Sequence, residues 1–180
     1  VQELNRQKAG FASAAVAKSV ANHLEWLDAH ILTVMAEMRY LIIEDRTLSI
    51  NLSLLRSITG FGEISAIVLL TELPNIAEFT PMALAAFSGL SPGEHSSGSS
   101  VRRPGKLTRI GSERLRSALY MCALSARRTN KSFAEFVHRL TAASKPPKVI
   151  LIAVARKLLM LARAVIKTQQ PFDPLYGMHR

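Results

Sequence analysis

The stretch Leu54-Leu55-Arg56-Ser57-Ile58-Thr59-Gly60-Phe61-Gly62-Glu63-Ile64-Ser65-Ala66 decides how the chain is read. Two apolar helical segments flank a Gly-x-Gly turn, the arrangement of a helix-hairpin-helix. Glycine reaches positive φ without a Cβ clash and lets the backbone approach a neighbour closely. A second helix starting at about Glu63 directs its free N–H groups and positive dipole end at an anion. Gly60 and Gly62 are therefore candidate phosphate contacts, of a kind that grips backbone without reading bases. An ordinary helix–helix turn with a glycine cap has the same local sequence, and Gly-x-Gly alone does not separate the two.

Upstream, no proline or glycine interrupts the run from about Ala12 to Leu48. Leu24, Leu27, Ile31, Val34, Met38 and Leu41 step by three and four residues, which stacks them on one face of a single long helix. Such a helix suits a coiled-coil-like arm or a dimerisation element, and equally a helix lying across its own domain. Downstream, Thr80 caps a short helix with Pro81 in its first turn and Gly89 just past its end. Ser112 caps a helix over 113–128 whose stripe is Leu115, Leu119, Cys122 and Ala126. Ser132 and Glu135 form a capping box for a helix ending near Ala143. Lys145-Pro146-Pro147-Lys148 is a turn, Val149 to Lys167 is the last helix, and a tail runs from Pro171 to Arg180. No run of alternating residues predicts a strand. The fold class is all-α: an N-terminal helical arm over 1–50, then a helix-hairpin-helix-containing helical domain over 51–180 with a long Ser/Gly/Arg loop.

The net charge is +10 and is unevenly spread. Residues 1–99 hold six Lys/Arg and ten Asp/Glu, a balance of −4, whereas residues 100–180 hold seventeen and three, a balance of +14. A basic half of this kind points to a polyanionic partner. Arginine dominates where the charge is densest, and its planar fork suits phosphate better than an ammonium does. Cys122 is the sole cysteine, so no internal disulfide forms, which fits a reducing cytoplasm. Its apolar neighbours make it a buried structural thiol. The histidines are scattered and the acids form no evident two-metal cluster, so no metal site is expected in the chain. The stretch Val149 to Ile166 is interrupted by Arg156, Lys157 and Arg163, each costly inside a bilayer, so no membrane span is expected.

From Ser91 to Gly111 large apolar residues nearly vanish. Between Arg102 and Arg116 lie six cations (Arg102, Arg103, Lys106, Arg109, Arg114 and Arg116) against one acid, Glu113. Ser96, Ser97, Ser99 and Ser100 precede them. Serine is a weak nucleophile unaided, but attack on a phosphodiester builds charge on the non-bridging oxygens that arginines stabilise. By themselves these residues fit a phosphate clamp better than a catalytic loop. Gly105-Lys106-Leu107-Thr108 is no P-loop, since Ser100 replaces its first glycine and Leu107 follows the lysine.

Taken in order, these elements resemble the C-terminal transposase domain of the insertion-sequence one-ten family, which includes Piv-type DNA invertases and bridge-RNA-guided recombinases. The resemblance is carried by Ser57-Ile58-Thr59-Gly60-Phe61-Gly62, Glu78-Phe79, Phe87-Ser88-Gly89-Leu90-Ser91-Pro92 and Ser97-Gly98. It continues through Arg109-Ile110-Gly111, Arg114 to Leu119, Lys145, Lys148, Ala153, Arg156-Lys157-Leu158 and Pro171-Phe172-Asp173. Arg109 stands where the family usually has lysine, and Ser112 where asparagine is common. The resemblance implies a cytoplasmic, oligomeric protein that cuts and rejoins DNA, guided by a structured RNA. It implies that the serine before the Ser-Gly glycine, Ser97, is the nucleophile, with Ser96 one residue away as its rival. Gly60, Gly62 and the six cations would then hold nucleic acid. It also implies a magnesium-binding RNase-H-like domain ahead of the helical arm, expected to be missing from this chain. The alternative is a non-catalytic nucleic-acid-binding or oligomerisation module.

Overall fold

The computed structural model describes residues 13–91 and 111–174. Among them every regular element is helical. The chain divides into two compact units, Val1–Ser49 and Ile50–Arg180.

In the first unit α1 runs Ala14–Glu44. Its N-cap is Ser13, whose hydroxyl accepts from Ala15 N–H at 3.3 Å. The helix stops at Asp45, short of the expected end near Leu48. Asp45 leaves helical geometry, and its carboxylate accepts from the N–H groups of Thr47 and Leu48 at 2.8 and 3.0 Å. A side chain that satisfies the first free donors of a new helix separates it from the old one. That helix, α2, spans Arg46–Ser57, and the boundary between the units falls within it. Only Val20 is buried along α1. The stripe expected to pack is open: Leu24, Leu27 and Met38 are half-buried, whereas Ile31, Val34 and Leu41 are 55%, 45% and 65% exposed.

The second unit is built around two long helices, α5 (Glu113–Thr129) and α7 (Pro147–Thr168), which pack along each other. The expected stripe Leu115, Leu119, Cys122 and Ala126 is buried on α5, with Ala123 beside it. On α7, Leu151, Val154, Ala155, Leu158, Leu159, Ala162 and Val165 are buried. Alanines on both faces let the axes approach, and the branched residues fill what remains. Arg156 and Lys157 stay exposed on α7, while Arg163 is half-buried and donates from Nε to the Phe79 carbonyl at 2.6 Å. No described helix is long and apolar enough to cross a membrane.

The shorter helices α3 (Glu63–Glu72), α4 (Pro81–Phe87) and α6 (Ala134–Ala142) pack on this pair: α3 on α5, and α4 and α6 on α7. Thr80 caps α4 as its sequence predicts, accepting from Ala83 N–H at 3.2 Å, with Pro81 in the first turn. The capping box expected from Ser132 and Glu135 is absent. Asn130 ends α5, and its side-chain oxygen accepts from Ser132 N–H at 3.0 Å to start a single 3-10 turn, Lys131–Phe133, ahead of α6. Asn130 outcompetes Ser132 because its amide also donates to the Thr59 carbonyl at 3.0 Å. That contact lies 71 residues away and has no local sequence sign.

Candidate nucleic-acid interface

The turn expected to be a hairpin joins α2 to α3. Ile58 N–H donates to Leu55 O, and Phe61 N–H to Ile58 O, at 3.1 and 3.0 Å. Ile58 and Phe61 are buried, which seats the turn on the core. Its two glycines do different things. Gly60 has φ +114, and a Cβ there would lie 2.6 Å from the Ala126 Cβ. Its missing side chain thus serves the contact between turn and α5. Gly62 has φ −86, and a Cβ there would meet nothing within 4 Å. The space beside Gly62, at the start of α3, is therefore open, and no neighbour requires a glycine there.

Beneath that start lies Cys122, buried as its apolar neighbours predict. Burial pushes its thiol pKa up, opposed by hydrogen bonds from the Ser65 hydroxyl and the Gly62 backbone. A thiol held neutral in this way is a packing group, not a nucleophile.

Gly111 and Ser112 pack against the end of α4. Gly111 has φ +126, and a Cβ there would lie 2.4 Å from the Phe87 carbonyl oxygen and 2.6 Å from Gly89 N. Ser112 N–H donates to that same Phe87 carbonyl at 3.0 Å. Ser112 is also the N-cap of α5, accepting from Leu115 N–H at 3.2 Å. Its hydroxyl donates to Glu72 Oε2 at 2.7 Å, and Glu72 Oε1 lies 3.8 Å from the Arg114 guanidinium. Glu72, whose position in the sequence suggests no more than a solvated helix surface, is therefore the clasp between the end of α3 and the start of α5. The Arg114 side chain is 86% exposed, so this ion pair contributes little stability and leaves the cation open to a stronger anion.

Arg116, two residues further along α5, is half-buried. Its Nη1 is shut off from solvent and meets no hydrogen-bond acceptor among the described residues. Leaving a buried donor unsatisfied costs about 1–3 kcal/mol, more for a charged group. Two of the six candidate cations, Arg114 and Arg116, thus sit on the first turns of α5, where the helix dipole also favours an anion. Ser97, its rival Ser96, Arg102, Arg103, Lys106 and Arg109 lie outside the described residues. Among the described residues no three His, Cys, Asp or Glu side chains converge as a metal centre would require.

One contact is not signalled by the sequence at all. The Phe172 N–H donates to the Ser57 hydroxyl at 2.7 Å, while that hydroxyl donates to the Leu54 carbonyl at 2.6 Å. The Pro171-Phe172-Asp173 segment is thereby fixed to the end of α2, directly before the turn into α3.

Residues 52–138 match the sequence profile of the Transposase IS116/IS110/IS902 family. The chain is 36% identical over 128 residues to a pilin gene-inverting protein of Moraxella lacunata, covering 70% of this chain and 40% of that protein. It is 37% identical over 123 residues to a pilin gene-inverting protein of Moraxella bovis, covering 67% and 38%. With the putative transposase y4pF/y4sB of Sinorhizobium fredii it shares 36% identity over 130 residues, covering 68% and 33%. The chain spans between a third and two fifths of the length of these curated relatives.

Proposed function

Residues 52–138 belong to the IS116/IS110/IS902 transposase family, and on that premise we propose that the chain is the DNA-gripping, serine-bearing part of a transposase or site-specific recombinase. The geometric observation that carries the reading is Arg114, a guanidinium 86% exposed on the first turn of α5, whose ion pair to Glu72 spans 3.8 Å. It follows the serine- and arginine-rich segment in the sequence, five residues after Arg109. The relatives named for inverting a pilin gene add support, since inversion is a cut-and-rejoin reaction on DNA.

By this reading Gly62, Arg114 and Arg116, with Arg102, Arg103, Lys106 and Arg109, hold DNA phosphates in the cytoplasm. Gly60 acts indirectly, by letting the turn sit close on α5. The Ser97 hydroxyl oxygen forms a new ester bond to phosphorus as the bond to a deoxyribose oxygen breaks. The serine proton leaves, and the departing oxygen takes one up. Arginines offset the charge that accumulates on the phosphorane oxygens. Magnesium belongs to acidic residues elsewhere in the parent, and a structured RNA supplies the guide. The open stripe on α1 pairs with a second copy. Light scattering checks that last element: dimers or larger species are expected, and a monomeric intact chain overturns it.

The test of the chemistry is Ser97→Ala in the full-length parent. Recombination should vanish while DNA affinity stays within about threefold, roughly 0.65 kcal/mol, because one hydroxyl adds little beside several charge-assisted contacts. A trapped protein–DNA adduct should map to Ser97. Undiminished recombination by this variant refutes the assignment, and an adduct on Ser96 moves it by one residue.

A further inference from the structure

Phe172 lines two cavities. One, of about 290 Å³, is lined by Ser132, Phe133, Lys157 and Met160, with Phe172 and Asp173. The other, of about 300 Å³, is lined by Ala164, Val165, Thr168, Gln170 and Pro171, again with Phe172 and Asp173. Each is at the small end of ligand sites, a size for one planar ring system and not for a large cofactor. An aromatic residue that lines open space offers a surface on which an unpaired base can stack, since every base has a π face.

The residue is also held in place before any ligand arrives. Its N–H is tied to Ser57 at 2.7 Å. Three residues earlier, Gln169 turns out of α7 with φ +53 and is bonded through Nε2 to Asn51 at 3.0 Å and Ile166 O at 2.8 Å. Stacking on a segment already ordered avoids most of the entropy cost of binding. One cation lines the first cavity and others lie on the elements around it. Lys157 lines it, with its Nζ 4.0 Å from the centroid of the Phe136 ring, and Arg139 lies 5.6 Å from the same ring. Lys131 and Arg156 are exposed on the adjoining elements. Lys157 lines only the first of the two cavities, so a phosphate of a bound strand belongs on that side and the bases beside Phe172.

We propose that the Phe172 edge of α7 is a second nucleic-acid site, which takes single-stranded nucleotides by stacking bases against Phe172 and pairing a phosphate with Lys157. The inference rests on the nucleic-acid reading above but uses none of the residues assigned there. It predicts a partner that duplex binding alone does not need: an unpaired strand, whether displaced DNA or an RNA loop.

The 180-residue chain carries a single tryptophan, Trp26, so Phe172→Trp in a Trp26→Phe background reports stacking directly. A ten-nucleotide single-stranded oligodeoxynucleotide should quench its fluorescence, and an abasic oligonucleotide of equal length should not. Phe172→Ala should weaken single-strand binding about 5- to 150-fold, the range for losing one stacked base, and leave duplex affinity within about threefold. Lys157→Gln should lower the single-strand salt slope by about 0.7, the share of one phosphate. Unchanged fluorescence at saturating oligonucleotide, or equal quenching by the abasic strand, overturns the inference while duplex binding stands. Absence of duplex binding by the unmodified chain, with quenching intact, would instead overturn the earlier reading and leave this one in force.

Discussion

Replacing Gly60 with alanine separates packing from binding at the turn between α2 and α3. The added methyl falls 2.6 Å from the Ala126 Cβ and 3.0 Å from its Cα, well inside the optimum of about 3.5–4.0 Å between carbons. Relieving it means moving the turn off α5. Overpacking of this kind costs about 1–3 kcal/mol. A left-handed backbone adds roughly 1–2 kcal/mol for a residue with a side chain, and Gly60 sits at φ +114. The expected loss is therefore about 2–5 kcal/mol, a large part of the roughly 5–15 kcal/mol that stabilises a domain. Gly62→Ala provides the comparison. Its φ is −86 and no atom lies within 4 Å of the new Cβ, so only the N-cap preference is lost, about 1 kcal/mol or less. Urea unfolding followed by far-ultraviolet circular dichroism measures both. With a slope of about 2 kcal/mol/M, Gly60→Ala should lower the midpoint by about 1–2.5 M, and Gly62→Ala by no more than about 0.5 M. Equal shifts, or a Gly60→Ala midpoint unchanged within about 0.3 M, would refute the packing argument. Adding Ala126→Gly to Gly60→Ala removes the 2.6 Å contact and should show a coupling of about 0.5–3 kcal/mol.

Three further outcomes are expected. Ser112→Ala removes the α5 cap and the hydroxyl bonded to Glu72, and should cost about 1–2 kcal/mol in the same unfolding assay; Glu72→Gln keeps an acceptor for Ser112 and should cost less than half of that. Burial raises the Cys122 pKa above its ordinary 9.0, so the unfolded chain gives up this proton at a lower pH than the folded one. Stability contributed by the neutral thiol is complete below pH 9 and declines above it, and Cys122→Ala should flatten that part of the pH–stability curve; identical curves would remove the effect. Duplex DNA affinity should fall with salt at a log–log slope of about −4 to −7, as five to eight neutralised phosphates require, and a salt-independent affinity would contradict a phosphate-based grip.

The helices themselves were legible in the sequence because their determinants are local. Thr80-Pro81 starts α4, Ser112 starts α5, and the spacing of Leu115, Leu119, Cys122 and Ala126 marks the buried face of α5. The fold class followed from these, as did the burial of Cys122. Where the sequence reading failed, two capping groups were competing at short range. Asp45 ends α1 although apolar spacing continues through Leu48, because spacing records a face and says nothing of where the backbone donors are satisfied. Asn130 displaces Ser132 as a cap because its second hydrogen bond goes to Thr59, which only the packed turn brings near. The tertiary structure alone also decided that Gly60 serves packing while Gly62 faces outward, that Glu72 clasps Ser112 across 40 residues, and that Phe172 hangs from Ser57 across 115. A helix cap or an apolar stripe is written in neighbouring residues, since backbone geometry fixes which of them meet. A contact between distant segments depends on how several helices pack together, and no local pattern encodes that.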